Sequence, residues 1–242
     1  MRVELLGAGV DAVDLAGAVE IIGAWVDAGK PCQVITLNPE ILYRAQNDPG
    51  LLDLINRAGL VTADGVGIVW GCRVAGQPLP GRVAGIDLLE GLARLSARKG
   101  WPVFLLGGAK GVAEEAAARL AVAHPGLKVA GTHHGFFGPD GEEAVVREVA
   151  RSGAVLLFVG MGAPRQEKFI AGHLPDLPVA MGVGGSLDVL AGRVKRVGIL
   201  WRRLRLEWLG RLVREPSRWR RALVLPRYVG AVLTRYRLLR RR

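Results

Sequence analysis

The sequence is poor in cysteine and histidine and has no long apolar run. Only Cys32 and Cys72 occur in 242 residues, too few for a disulfide framework, and the four histidines show no zinc-binding spacing. No stretch reaches the roughly 20 uninterrupted apolar residues of a transmembrane helix, and the first residues lack the pattern of a signal peptide. We therefore expect a cytoplasmic protein without a structural metal site.

Several phosphate-binding motifs are also missing. There is no Walker A sequence, and the two closest matches to the dinucleotide fingerprint place Arg165 and Leu187 where that motif needs a small residue. The chain also has no Asp-x-Asp pair, the arrangement that often holds a divalent metal on a diphosphate. A diphosphate ligand would therefore need cations other than such a metal.

What the sequence has in abundance is positive charge, concentrated in its last fifty residues. Residues 193–242 contain sixteen Arg and one Lys against two Glu, a net charge of +15. Because the whole chain carries +11, the first 192 residues carry −4. The aromatic residues interspersed in this tail are Trp201, Trp208, Trp219, Tyr228 and Tyr236. Cations mixed with aromatic rings are typical of segments that bind anionic membrane surfaces or polyphosphates.

Short runs of Val, Ile and Leu alternate with amphipathic segments, which is typical of buried parallel strands between helices. The expected strands are 33–37, 60–63, 103–106, 128–131, 155–159 and 178–183. The expected helices are one capped by Asp14 and ending near residue 27, then 39–47, 111–124, 141–151 and one whose first turn holds Arg165 and Gln166. We predict an α/β, Rossmann-like body over residues 1–195, with a mainly parallel sheet, and a basic, amphipathic helical appendage over residues 196–242.

Polar residues and glycines follow the predicted strands, where open α/β sheets bind their ligands. Thr36 and Asn38 end the first strand, and Asp64 directly follows the second. Gly184 and Gly185 follow the last. Each feature also has an ordinary explanation: Asn38 suits a helix N-cap, Asp64-Gly65 suits a turn, and glycine is needed simply to make a tight turn.

Five motifs in sequence order make these features more specific. They are Thr36-Leu37-Asn38-Pro39-Glu40, Ala63-Asp64-Gly65-Val66-Gly67, Arg82-Val83-Ala84-Gly85-Ile86-Asp87, Gly162-Ala163-Pro164-Arg165-Gln166-Glu167 and Leu206-Glu207-Trp208-Leu209-Gly210-Arg211-Leu212. In this ordered set the chain resembles the WecG/TagA/CpsF glycosyltransferases, from about Val10 to about Arg221.

The resemblance implies an inverting glycosyltransferase that needs no cofactor and no metal. It would move N-acetylmannosamine from UDP-N-acetylmannosamine to undecaprenyl-diphosphate-linked N-acetylglucosamine, for a teichoic acid linkage unit or a surface polysaccharide. Asp64, as general base, and Thr36 are the implied catalytic residues. The implied substrate-binding residues are Asn38, Arg82, Gln166, Gly184 and Gly185, with Arg211, Arg218 and Arg221 on the diphosphate. The donor is left open among N-acetylmannosamine, its uronic acid, glucose and glucuronic acid.

The tail is expected to hold the protein peripherally on the anionic inner face of the cell membrane. A helix over 198–213 and the segment 223–239 would make this attachment, and the alternative for the first of them is packing on the protein's own core. An exposed apolar helix would also favour a homo-oligomer. A nucleic-acid-binding protein is a distant alternative, disfavoured by the acidic body, so we expect no nucleic-acid partner. An inactive scaffold is disfavoured because the implied catalytic residues and tail arginines are present.

Overall fold

The chain begins with an antiparallel hairpin, β1 (Arg2–Leu5) and β2 (Ala8–Asp11). This computed structural model describes residues 1–194 and 223–239, with side chains up to Tyr236. The hairpin turn Leu6-Gly7 has positive φ angles of 51° and 81°. Leucine rarely adopts such a conformation, and hairpins of this type usually carry Asn-Gly or Asp-Gly. The hairpin is absent from the sequence-based prediction for that reason.

Six parallel strands form the central sheet, in the order β4-β3-β8-β7-β5-β6. They are β3 (Gln33–Leu37), β4 (Leu60–Ala63), β5 (Pro102–Gly107), β6 (Lys128–His133), β7 (Leu156–Gly160) and β8 (Val179–Gly182). The prediction of an α/β fold with a mainly parallel sheet is confirmed. Each predicted strand is present, and its bounds differ by at most two residues.

Ten α-helices are described around the sheet, and a short 3₁₀ helix, Leu174–Asp176, follows the eighth of them. They are α1 (Leu15–Asp27), α2 (Pro39–Ala45), α3 (Pro49–Arg57), α4 (Val66–Val74), α5 (Gly85–Lys99), α6 (Val112–Ala123), α7 (Pro139–Arg151), α8 (Arg165–His173), α9 (Ser186–Leu190) and α10 (Val224–Leu239). The Asp14 cap on α1 is confirmed, because its carboxylate accepts from the Gly17 N–H at 2.8 Å. The predicted helix 39–47 ends earlier, because Asp48 caps a new helix by accepting from the Leu51 N–H at 3.0 Å.

The sheet separates two layers of apolar packing because successive strand residues point to opposite faces. On β5, Val103 and Leu105 pack against α1, α5, α6 and α9, whereas Phe104 and Leu106 pack against α7 and α8. At the other end of the sheet, β3 and β4 are covered by the hairpin, α2, α3, α4 and α10. The result is a three-layer α/β sandwich whose strands share one carboxyl edge.

The last described helix, α10, packs on the body. Tyr228 and Val232 are both 0% exposed and belong to the same apolar cluster as the hairpin, α2 and α4. The hydroxyl of Tyr236 accepts from the Leu6 N–H at 2.8 Å, at the unusual hairpin turn. The interpretation of Tyr228 and Tyr236 as interfacial aromatics is therefore wrong for these two residues, because their rings face the protein's core.

The other features expected of the tail have different outcomes. The predicted helix over 198–213, with Trp201 and Trp208, and Trp219 lie outside the described residues. Among residues 1–194 and 223–239, no helix is both long and apolar enough to cross a membrane. Division of the chain at residue 195 and self-association both stay predictions.

Candidate active site

Two polar residues lie side by side where β3 and β4 end. The parallel register pairs Thr36 with Thr62 and Leu37 with Ala63, so Asn38 and Asp64 are the first residues beyond the last pair. The backbone N–H of Asp64 donates to the Leu37 carbonyl at 2.8 Å, which extends the pairing by one more bond. Both side chains are half-buried at the carboxyl edge. The sheet itself therefore brings together the Asn38 amide and the Asp64 carboxylate.

Asn38 also has the structural role that its sequence allowed. Its side-chain oxygen accepts from the Ile41 N–H at 3.0 Å and caps α2. The side-chain NH₂ group remains as a donor at the carboxyl edge. The cap therefore orients the amide without using its donor capacity.

Thr36 lies deeper than the other predicted site residues. It is 6% exposed, and its hydroxyl donates to the Gly182 carbonyl of the neighbouring strand β8 at 3.0 Å. On its other side lies Gly85, where an added Cβ would come within 3.3 Å of the Thr36 hydroxyl oxygen. In this structure Thr36 therefore joins β3, β8 and the start of α5, and it supports the walls of the cleft.

Arg82 is brought to the same edge by the segment that precedes α5. The Val83 N–H donates to the Ala63 carbonyl at 2.9 Å, so residues 82 and 83 run beside the end of β4. The guanidinium lies 3.9 Å from the carboxylate of Asp87 and is about one quarter exposed. Arg82 therefore adds positive charge near the end of β4, the strand that Asp64 follows.

Gln166 binds the glycine turn that follows β8. Its side-chain oxygen accepts from the Gly184 N–H at 3.0 Å, and its NH₂ group donates to Glu167 Oε1 at 2.8 Å. Gln166 is only 2% exposed. The turn that contains Gly184 and Gly185 is thus held in place from below, and it leaves Gly185 exposed at the edge.

Glu167 is a buried carboxylate that was quoted in a motif but given no role from the sequence. It is 1% exposed, and its Oε2 has no hydrogen-bond partner among the described residues. Burial raises the pKa of this carboxyl group. Its backbone carbonyl also accepts from the Gln33 side chain at 3.0 Å. Helical spacing was the available signal, since Glu167 lies three residues before the buried Ile170 on one face of α8.

The loops after β5, β6 and β7 are joined by backbone bonds on the other half of the edge. The Gly135 N–H donates to the Gly108 carbonyl at 2.8 Å, and the Gly108 N–H donates to Gly160 at 3.1 Å. Arg165 donates to the carbonyls of Gly135 and Phe137 at 3.0 and 2.6 Å. Gly107 has φ +144°, and a Cβ there would collide with the Gly160 backbone. Hydrogen bonds thus connect these loops into one side of the cleft, beside the Gly184 turn.

The cleft is defined by these polar groups and turns, and two surface grooves lie elsewhere. One groove of about 470 Å³ lies between β6 and α7, and another of about 420 Å³ lies around α8. Neither is lined by a predicted site residue. Within residues 1–194 and 223–239, no group of three or more His, Cys, Asp or Glu side chains could hold a metal ion.

The structure therefore brings together seven of the predicted site residues around the ends of β3, β4 and β8. They are Thr36, Asn38, Asp64, Arg82, Gln166, Gly184 and Gly185. The other three, Arg211, Arg218 and Arg221, lie outside the described residues. A carboxylate, an amide and an arginine at the carboxyl edge of a parallel sheet suit a polar, phosphate-bearing ligand.

Comparison with known proteins assigns this arrangement to a family. The model of the glycosyl transferase WecG/TagA/CpsF family matches residues 3–242, nearly the whole chain. The chain belongs to this family. The resemblance seen in the five motifs is therefore confirmed, and with it the prediction that the protein is a glycosyltransferase.

Two relatives extend the match within the WecG/TagA/CpsF family. A Bacillus spizizenii protein is 38% identical over 211 residues, which cover 86% of this chain and 81% of the relative. A Bacillus subtilis protein is 34% identical over 211 residues, which cover 86% of this chain and 82% of the relative. Each is named N-acetylglucosaminyldiphosphoundecaprenol N-acetyl-beta-D-mannosaminyltransferase.

Proposed function

We propose that this protein is an inverting N-acetylmannosaminyltransferase. It moves N-acetylmannosamine from UDP-N-acetylmannosamine to N-acetylglucosamine on undecaprenyl diphosphate, in the synthesis of a teichoic acid linkage unit or another surface polysaccharide. Two relatives that cover most of the chain carry the name of this activity. The observation that carries the proposal is the Asp64 carboxylate, held beside Asn38 at the carboxyl edge of an all-parallel sheet.

Asp64 acts as the general base in a single displacement. It takes the proton of the acceptor hydroxyl as that oxygen attacks the anomeric carbon of the donor sugar. The new glycosidic C–O bond forms while the bond from the anomeric carbon to the diphosphate breaks, and UDP leaves with the electron pair. Attack from the face opposite UDP inverts the anomeric centre.

The other polar groups of the cleft bind the donor and support the reaction. Asn38 and Arg82, which belong to the segments at the ends of β3 and β4, bind sugar hydroxyl groups and phosphate oxygens of the donor in this proposal. The turn at Gly184 and Gly185 lets a ligand approach the backbone closely. Thr36 acts through the cleft walls, because its hydroxyl is already bonded to Gly182.

Arg211, Arg218 and Arg221 stabilise the diphosphate leaving group in this proposal. Arginine binds phosphate oxygens in pairs, and charge develops on UDP as the bond breaks. The segment just before residue 195 and the segment just after residue 222 support this role, because both segments lie near the carboxyl edge of the sheet. Arg193 pairs with Glu115 in the first turn of α6, and α10 packs on the first turn of α4.

Membrane attachment follows from the lipid-linked acceptor and the charge of the tail. We place the enzyme peripherally on the anionic inner face of the cell membrane, because residues 193–242 carry +15. On α10, the side chains of Arg227 and Arg235 are exposed. The lipid acceptor would then be presented next to the cleft.

A transfer assay tests the proposal. The full-length protein is incubated with UDP-N-acetylmannosamine and a diphospholipid-linked N-acetylglucosamine, with and without EDTA. We expect product in both conditions, and we expect Asp64→Asn to lower turnover by about 10²-fold or more. Donor binding by this variant should remain. Turnover that stays at the wild-type level in Asp64→Asn would remove Asp64 from its role.

Matched variants separate the chemistry from general effects of charge. Asp53→Asn, on the exposed face of α3, should leave turnover unchanged. The triple change of Arg211, Arg218 and Arg221 to Gln should lower turnover far more than the same change at Arg202, Arg203 and Arg205. Equal losses in the two triple variants would refute a specific diphosphate site. No product with this donor, but product with its uronic acid, glucose or glucuronic acid, would correct the donor.

A further inference from the structure

One side chain from the basic tail contacts the helix that begins just after Asp64. Tyr228, on α10, is 0% exposed and fits against two glycines of α4, Gly67 and Gly71. A Cβ on Gly71 would collide with the Tyr228 hydroxyl, and a Cβ on Gly67 would lie 2.6 Å from Pro39. These glycines therefore form a smooth surface on α4 that admits the tyrosine ring.

The hydroxyl of Tyr228 makes a specific bond within this surface. It donates to the Gly67 carbonyl at 2.9 Å, in the first turn of α4. The hydroxyl keeps its proton at physiological pH, because the ordinary pKa of tyrosine already lies near 10 and burial raises the pKa of Tyr228 further. The bond links a helix from the basic tail to the N-terminus of a body helix.

The first turn of α4 is joined directly to the Asp64 turn. Gly65 adopts φ +98° between Asp64 and α4, a conformation that favours glycine. On the strand side, the Asp64 N–H is fixed by the Leu37 carbonyl. On the helix side, Gly67 is held between Pro39 of α2 and Tyr228 of α10. The turn that carries Asp64 therefore lies between these two anchors.

We propose that Tyr228 is a positioning residue for Asp64, acting through its hydrogen bond to the Gly67 carbonyl. The inference rests on the proposed function, in which Asp64 is the general base. Docking of α10 then does more than cover an apolar surface, because it holds the turn that carries the catalytic carboxylate. The reaction itself should sense loss of this one hydroxyl.

The chain offers a matched control for this inference. Tyr236 lies two helical turns further along α10, and its hydroxyl also makes one described bond to the backbone, at 2.8 Å from the Leu6 nitrogen. That bond lies at the hairpin turn and not at α4. Tyr228→Phe and Tyr236→Phe therefore each remove one hydroxyl from the same helix, but only the first is linked to Asp64.

Steady-state kinetics of the full-length variants provide the test. We expect Tyr228→Phe to lower kcat by about three- to tenfold with donor KM unchanged, the effect of losing one hydrogen bond from the supporting structure. The kcat of Tyr236→Phe should stay within about twofold of wild type, because its hydroxyl is bonded to the hairpin turn and not to the first turn of α4. Equal kcat values for the two variants would overturn the inference.

Amide hydrogen exchange gives a second readout that does not need activity. Protection of residues 65–70 should fall in Tyr228→Phe and stay at the wild-type level in Tyr236→Phe. Unchanged protection in Tyr228→Phe would overturn the inference even if the wild-type enzyme were active. A wild-type protein that transfers no sugar would instead refute the proposed function, and the exchange experiment would still decide whether Tyr228 holds this turn.

Discussion

The body and the tail of this protein differ sharply in net charge, but the basic tail includes a helix that packs in the core of the body. Residues 1–192 carry a net charge of −4, whereas residues 193–242 carry +15. Helix α10 belongs to the tail by charge, yet Tyr228 and Val232 are as completely buried as the centre of the sheet. The net charge of a segment therefore does not show whether it packs on the body. The burial of its side chains does.

Buried and exposed side chains of α10 show this difference within a single helix. The inner face carries Tyr228 and Val232 into the cluster formed with the hairpin and α4. The side chains of Arg227, Val229 and Arg235 are exposed to solvent. Helix α10 thus contributes apolar contacts to the acidic body and exposes positive charge to solvent.

The largest expected effect comes from removing the inner face. Tyr228→Ala should lower the free energy of unfolding by about 3 to 5 kcal/mol, because it leaves a large cavity and removes the hydroxyl bond to the Gly67 carbonyl. Urea denaturation measures this change. Val229→Ala, at an exposed position of α10, is the control and should stay within about 0.5 kcal/mol of wild type. Equal stabilities for the two variants would mean that α10 does not dock on the body.

Thiol labelling adds an independent readout of the same variant. Cys72 is 0% exposed and lies in the cluster that α10 covers. Burial raises the pKa of its thiol to about 11, so it should react slowly with a disulfide reagent near pH 8. Tyr228→Ala should accelerate its labelling, while Val229→Ala should not.

A smaller effect is expected from the exposed arginines of α10. Replacing Arg227 and Arg235 with Gln should weaken binding to anionic vesicles by about 1 kcal/mol per residue, or about fivefold each. Stability should not change, because both side chains are exposed. Vesicle sedimentation at low and high salt measures the binding. Arg57→Gln with Arg147→Gln removes the same charge from the body and serves as the control. A similar loss in that control would contradict a specific role for α10.

The smallest expected effect concerns Glu167, a buried acidic residue of the body. Burial raises the pKa of Glu167, so folding favours its neutral form. Stability should therefore fall as the pH rises from the ordinary carboxyl pKa through the raised value. Glu167→Gln keeps an acceptor for Gln166 but cannot ionise, so it should gain on the order of 1 kcal/mol over wild type towards neutral pH.

Denaturation of wild type and Glu167→Gln across the range from acid to neutral pH checks this sign. Glu143→Gln, on the exposed surface of α7, should follow the wild-type curve throughout. A difference between Glu167→Gln and wild type that shrinks as the pH rises would show that the buried carboxyl group is stabilised as its anion.

Much of the body was predictable because its signals are local. Apolar runs of four to six residues mark the strands, and Asp14 marks the start of α1. The placement of Asn38 and Asp64 also followed, since carboxyl ends of parallel strands meet at one edge. The hairpin did not, because Leu6 adopts a positive φ with both backbone groups held by Tyr236 and Gln46.

By itself, the sequence determined the α/β class, the separation of charge and the motifs that identify the family, because each is written in residue type and spacing. Only the tertiary structure decided that Tyr228 faces the core, that Thr36 bonds to Gly182, and that Glu167 is buried beneath the Gly184 turn. Those outcomes depend on which distant elements meet. A sequence pattern of aromatic and basic residues is compatible with both a membrane surface and a protein core. In this protein the surface formed by Gly67 and Gly71 of α4 decides that Tyr228 packs in the core.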